Sequence, residues 1–96
     1  MTFAALRSSL AHAAPPAELT KPLQALWWAA KGEWDRAHAL VQDDASAEAA
    51  WVHAYLHRVE GDLSNARYWY RQAGRTPASG PLPDEWERIA AVLLAD

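Results

Sequence analysis

The chain contains no cysteine and only one methionine. Without thiols it can form neither a disulfide nor a thiolate metal site, so imidazoles and carboxylates are the only strong metal donors it carries. Positive charge is also scarce. Nine Lys and Arg stand against twelve Asp and Glu, interspersed, for a formal net charge of −3. No basic stripe exists to neutralise phosphates, which excludes nucleic acid as the expected partner. No apolar run approaches the ~18–20 residues needed to cross a bilayer, so a membrane partner is not expected either. Period-2 alternation, the mark of a strand, is missing throughout.

What remains is helical. Ninety-six residues suit one domain, and a composition that is 51% hydrophobic, with six Trp, is far too apolar for a disordered chain. Ala11-His12-Ala13 mimics a signal-peptidase site, but Arg7, Ser8 and Ser9 interrupt any apolar core before it. Phe3, Leu6, Leu10 and Ala13 instead share a helical face, so a folded first helix and a cytoplasmic location are expected. That helix is predicted from Thr2 to Ala14, where Pro15-Pro16 stops it. A second starts near Thr20, with Pro22 in its first turn, and ends at Gly32. A third covers Glu33 to about Asp43. A fourth covers Ala47–Glu60, capped by Ser46 and stopped by Gly61. It is apolar nearly all round, the signature of a central element. A fifth runs from Asp62 to Ala73 before Gly74. After a Pro-, Gly- and Ser-rich connector, a sixth opens at Asp84, with Glu87 in capping-box spacing.

The helices contain a repeat. Gly32, Trp34, Ala37 and Val41 recur 29 residues later as Gly61, Leu63, Ala66 and Tyr70, and Ala25 maps onto Ala54. Small residues at Ala25 with Ala37, and at Ala54 with Ala66, would let paired helices approach closely. The second unit, from Ala50-Trp51 through Ala54, Gly61-Asp62, Ala66, Tyr70 and Ala73 to Pro77, resembles a tetratricopeptide repeat. The first unit keeps Ala25, Trp28, Gly32 and Ala37 but has Val41 where the family has an aromatic. Its offset is also shorter than the family's ~34 residues. The resemblance implies an all-α fold of two TPR-like hairpins, about residues 20–44 and 47–75. Capping helices at about 2–14 and 84–95 would flank them, making six helices in one domain. The strings Ala25-Leu26-Trp27-Trp28, Tyr55-Leu56-His57-Arg58 and Asn65-Ala66-Arg67-Tyr68-Trp69-Tyr70 are similar to those of a small bacterial family without an assigned activity.

Two constellations carry chemistry. His53 and His57 lie at i and i+4 on one helix face, the spacing that lets two imidazoles share a metal. Glu60 lies one turn further on as a candidate third ligand, and Asp62 and His38 could approach from neighbouring helices. The bland alternative is core packing, since the repeat maps His53 and His57 onto Gln24 and Trp28. The second constellation follows from the resemblance, because the first helix of each TPR-like hairpin lines a concave face. Trp51, Tyr55 and Arg58 would lie there as aromatic anchors beside a polar contact, while Tyr68 falls on the polar side of its own helix. No nucleophile elbow, phosphate loop, dinucleotide fingerprint or zincin motif is present, so neither an enzyme nor a cofactor is the expectation. The sequence points first to an interaction module that presents an aromatic-lined groove to a protein or peptide, with homodimerisation as one way to bury its faces. The alternative is a small metal- or ligand-binding protein using His53, His57 and Glu60.

Overall fold

Glycine turns set the architecture. In the computed structural model, which describes residues 1–95, the helices are α1 (Phe3–Ser9), α2 (Lys21–Ala30), α3 (Trp34–Val41), α4 (Ala47–Glu60), α5 (Leu63–Ala73) and α6 (Leu82–Ala95). No strand occurs among the described residues, so the chain is all-α. No helix among them is long and apolar enough to cross a membrane.

Gly32 and Gly61 take left-handed φ values of 80° and 86°, a conformation costly for any residue with a Cβ. The turns they make are the same in detail. Glu33 N–H donates to the Trp28 carbonyl at 3.0 Å, and Asp62 N–H donates to the His57 carbonyl at 2.9 Å. Gly32 and Gly61 donate to Ala29 and Arg58 in the same way. Each bond is therefore repeated at the 29-residue offset seen in the sequence. The result is two antiparallel pairings, α2 on α3 and α4 on α5. Ala25, Ala37, Ala54 and Ala66 are all buried.

The other elements close around these hairpins. α6 packs against α4, α2 and α1. Its apolar stripe of Trp86, Ile89, Ala90 and Leu93 is buried, and the Trp86 indole donates to the Leu26 carbonyl at 2.8 Å. Phe3 meets the Trp86 ring edge-on at 6.1 Å. The radius of gyration is 12.2 Å, against ~12.5 Å for a compact chain of this length, so the terminal helices fold back rather than extend the stack.

Three boundaries differ from those expected. α1 ends at Ser9, not Ala14. Leu10, Ala11 and His12 make i→i−3 bonds that wind the helix down early, and the Ser9 hydroxyl is held by the Trp27 indole at 3.0 Å. α3 stops at Val41, short of Asp43. α6 begins at Leu82, two residues before Asp84. Asp84 therefore lies inside the first turn, favoured there by the helix dipole, and forms no capping box.

Candidate metal centre

α4 runs between α3 and α5, so residues on opposite flanks of this one helix meet different neighbours. Ser46 starts it, accepting from Ala49 N–H at 3.1 Å. From that start, His53 and His57 fall on the arc covered by the two partner helices. Both are buried, at 3% and 6% exposure. α3 contributes His38, one turn after Trp34, whose indole is pinned by donation to the Leu56 carbonyl at 2.7 Å. α5 contributes Trp69.

The rings interlock. Trp34 stacks on His38 at 4.7 Å with an interplanar angle of 11°. Trp69 stacks on His53 at 4.0 Å and 16°. His53 stacks on His57 at 4.8 Å, and His38 meets both edge-on. His38 Nε2 and His53 Nε2 are 3.0 Å apart. One ring nitrogen from each of His38, His53 and His57 lies within 4.8 Å of the others. Nitrogens bound to one ion at ~2.0–2.1 Å stand about 3.4 Å apart, close to the separation of His38 Nε2 and His53 Nε2, which hydrogen-bond to each other in the free protein. His53 Nδ1 is buried without a hydrogen-bond partner, a condition that carries an energetic cost and that calls for an explanation in any folded protein.

Burial favours the neutral form of His38 and His53. Burial, then the neighbouring His38 and His57, pushes His53 down to about 4. Burial, then His57, also lowers His38, against smaller opposing effects from Glu60 and Asp35. A neutral imidazole is the form whose lone pair binds a metal.

Of the expected His53, His57 and Glu60, His57 lies in two groups, one with His38 and His53 and one with Glu60 and Asp62. Glu60 sits against His57 Nδ1 at 2.6 Å. This contact orients the ring, as carboxylates behind metal-bound histidines do, and His38 of α3 is the residue whose ring nitrogen lies near those of His53 and His57. Asp62 lies within ligand distance of His57 and Glu60, but it also accepts from Asn65 N–H as the α5 cap. Trp34 and Trp69 were not expected at this site. Their half-polar helices gave no sign that the rings would turn towards α4 and flank two histidines.

The expected groove residues do not share one groove: Trp51 borders a cavity of about 570 Å³ with Arg75, Pro77, Glu85 and Arg88, Tyr68 borders another, and Tyr55 and Arg58 line neither. Trp51 and Tyr55 are only 4% and 7% exposed. The Arg75 guanidinium covers the Trp51 ring at 3.8 Å. Arg58 pairs with the buried Glu85 of α6 at 3.0 Å and also donates to the Gly80 carbonyl. The Tyr70 hydroxyl donates to the same Glu85 carboxylate. The reason is hydrophobic: the apolar stripe of α6 needs a face to bury, and the α2–α4 face is the one it takes. Only Tyr68 of the four groove residues is exposed, at 45%. It stands apart beside Trp69, over a shallow depression lined by Gln42, Asp43, Ala50 and Gln72.

No protein-family model, curated protein or solved structure matches the chain.

Proposed function

We propose that this protein binds one first-row transition-metal ion through His38, His53 and His57. The observation that carries this reading is that three imidazoles, two of them buried, come together from two helices with one ring nitrogen of each within 4.8 Å of the others. Imidazole suits zinc, copper, iron and nickel, whereas calcium and magnesium require oxygen ligands. The test is metal analysis of untagged protein after incubation with zinc(II) and gel filtration. One ion per chain is expected in the wild type, with loss of that ion in His57→Ala and in His38→Ala. Wild-type protein that emerges without metal would end the reading.

A second reading keeps a TPR-like interaction module, located in the cytoplasm, but moves its surface. Support comes from the duplicated glycine turns and from Val59, Leu63 and Tyr68, which are exposed on the α4–α5 hairpin. A protein partner or a second copy of the chain would dock there. Sizing over a wide concentration range tests the homodimer form: a concentration-dependent shift that Leu63→Ser removes would support it, and a constant monomer would dismiss it.

A further inference from the structure

We propose that the cavity between the C-terminal end of α5, the connector and the first turns of α6 binds a small aromatic carboxylate, with Arg75 and Arg88 holding its charge. None of the histidine cluster lines this cavity, so the inference does not depend on the metal-binding reading.

The cavity measures about 570 Å³, inside the ~300–1,000 Å³ usual for small-molecule sites. Its walls are set by the fold. Gly74 leaves α5 with a left-handed φ of 69°, and Arg75 N–H donates to the Tyr70 carbonyl at 3.0 Å. That turn lays the Arg75 guanidinium over Trp51 of α4, 3.8 Å from the ring centroid. A second wall is α6. Asp84, Glu85 and Arg88 share one of its faces, because residues three and four apart are neighbours on a helix. The connector makes the third wall. Arg58 tethers it by donating to the Gly80 carbonyl, with the same guanidinium that pairs with Glu85.

The charges of the lining differ in what they already hold. Glu85 is engaged: one carboxylate oxygen accepts from Arg58 and the other from the Tyr70 hydroxyl. Arg75 and Arg88 are exposed, and neither forms an ion pair among the described residues. Asp84 sits in the first turn of α6, where the helix dipole already favours a carboxylate. Two guanidiniums are therefore left to bind an anion, and their planar forks of N–H donors match a carboxylate. An inorganic anion would fill little of this volume, since a water takes up only ~30 Å³. The indole of Trp51 and the rings of Pro77 and Pro81 supply apolar lining, which gains by being covered with an apolar body. A flat aromatic ring can also stack on the Arg75 guanidinium.

The experiment is a titration of the untagged full chain with sodium 2-naphthoate, followed by proton–nitrogen correlation spectra. Neutral 2-naphthamide and inorganic phosphate are titrated in parallel. Saturable shifts are expected at the Trp51 indole and at the Gly74, Thr76 and Gly80 amides, with a Kd on the order of 1 mM or tighter for a molecule of this size. The amide should bind roughly tenfold or more weakly, since hydrogen bonds to a charged group contribute about that ratio. Arg88→Gln and Arg75→Gln should each weaken 2-naphthoate binding by a similar factor while the circular-dichroism spectrum of the free protein stays unchanged. No saturable response to 2-naphthoate, or one confined to residues outside the lining, would overturn the site. Equal affinity for the amide, or unchanged affinity in both arginine variants, would overturn recognition of the carboxylate. Phosphate that saturates the same signals at lower concentration would overturn the aromatic class of ligand. Each of these outcomes leaves the metal-binding reading untouched.

Discussion

Acidifying the metal-free protein from pH 7 to pH 4 should destabilise it, mainly through His53. The ring is buried among His38, His57 and Trp69, and it titrates at about 4 instead of 6.5. A histidine whose folded value is depressed stabilises the fold above its unfolded value, and that contribution is lost as pH falls from 6.5 towards 4. Within this window the unfolded chain binds a proton that the folded chain refuses. The difference of about 2.5 units corresponds to about 3 kcal/mol by pH 4. That is a large part of the ~5–14 kcal/mol expected for a domain of this length. His38, lowered for the same reason, adds in the same direction. The Asp44 carboxyl, held below 3.8 by bonds from Ser46, makes its own loss at lower pH, outside the window. The assay is urea unfolding followed by circular dichroism at several pH values. The comparison is with His53→Phe, which keeps a flat ring against Trp69 but cannot titrate. Wild type should lose stability steeply between pH 6.5 and 4.5, and the variant much less. Parallel losses would refute the claim that burial holds His53 neutral.

Other consequences concern the fold. Glu85→Ala strands Arg58 and the Tyr70 hydroxyl beneath α6 and should cost about 3–5 kcal/mol, read as a lowered urea midpoint; a loss in Glu85→Gln as large as in Glu85→Ala would show that charge is responsible. Gly61→Ala meets no atom within 4 Å at its new Cβ, so its cost is backbone strain alone, about 1–2 kcal/mol, and thermal melting should register it. Tyr55→Ala removes a ring that is 7% exposed and should cost ~3–5 kcal/mol. A Tyr55→Ala protein of unchanged stability would mean that the ring faces an open groove after all.

Much of the fold was legible because local chemistry decided it. Ser46, Gly61 and Gly74 are strong punctuation, and the limits of α4 and the end of α5 fell where they stand. Weaker punctuation misled. Pro15 sets an outer limit for α1, but the tertiary bond from Trp27 to Ser9 lies at an earlier end. Asp84 suits an N-cap, yet Pro83 is equally at home in a first turn, and the helix starts before both. The site was half legible. The i, i+4 spacing of His53 and His57 is a property of one helix and can be read directly. The choice between Glu60 and His38 as the third donor depends on how α3 sits against α4, which periodicity does not encode. The groove failed for a similar reason. Sequence patterns show that α6 has an apolar stripe, but not which face it covers, and it covers the one holding Trp51 and Tyr55.

The placement of the ion can be tested atom by atom. The chain has four histidines, and one of them, His12, lies outside the cluster. Long-range proton–nitrogen correlation spectra of the imidazoles, recorded before and after one equivalent of a diamagnetic ion such as zinc(II) or copper(I), should show one ring nitrogen shifting in each of His38, His53 and His57. His12 should be unchanged. A response confined to His12, or none at all, would contradict a metal site at the junction of α3 and α4.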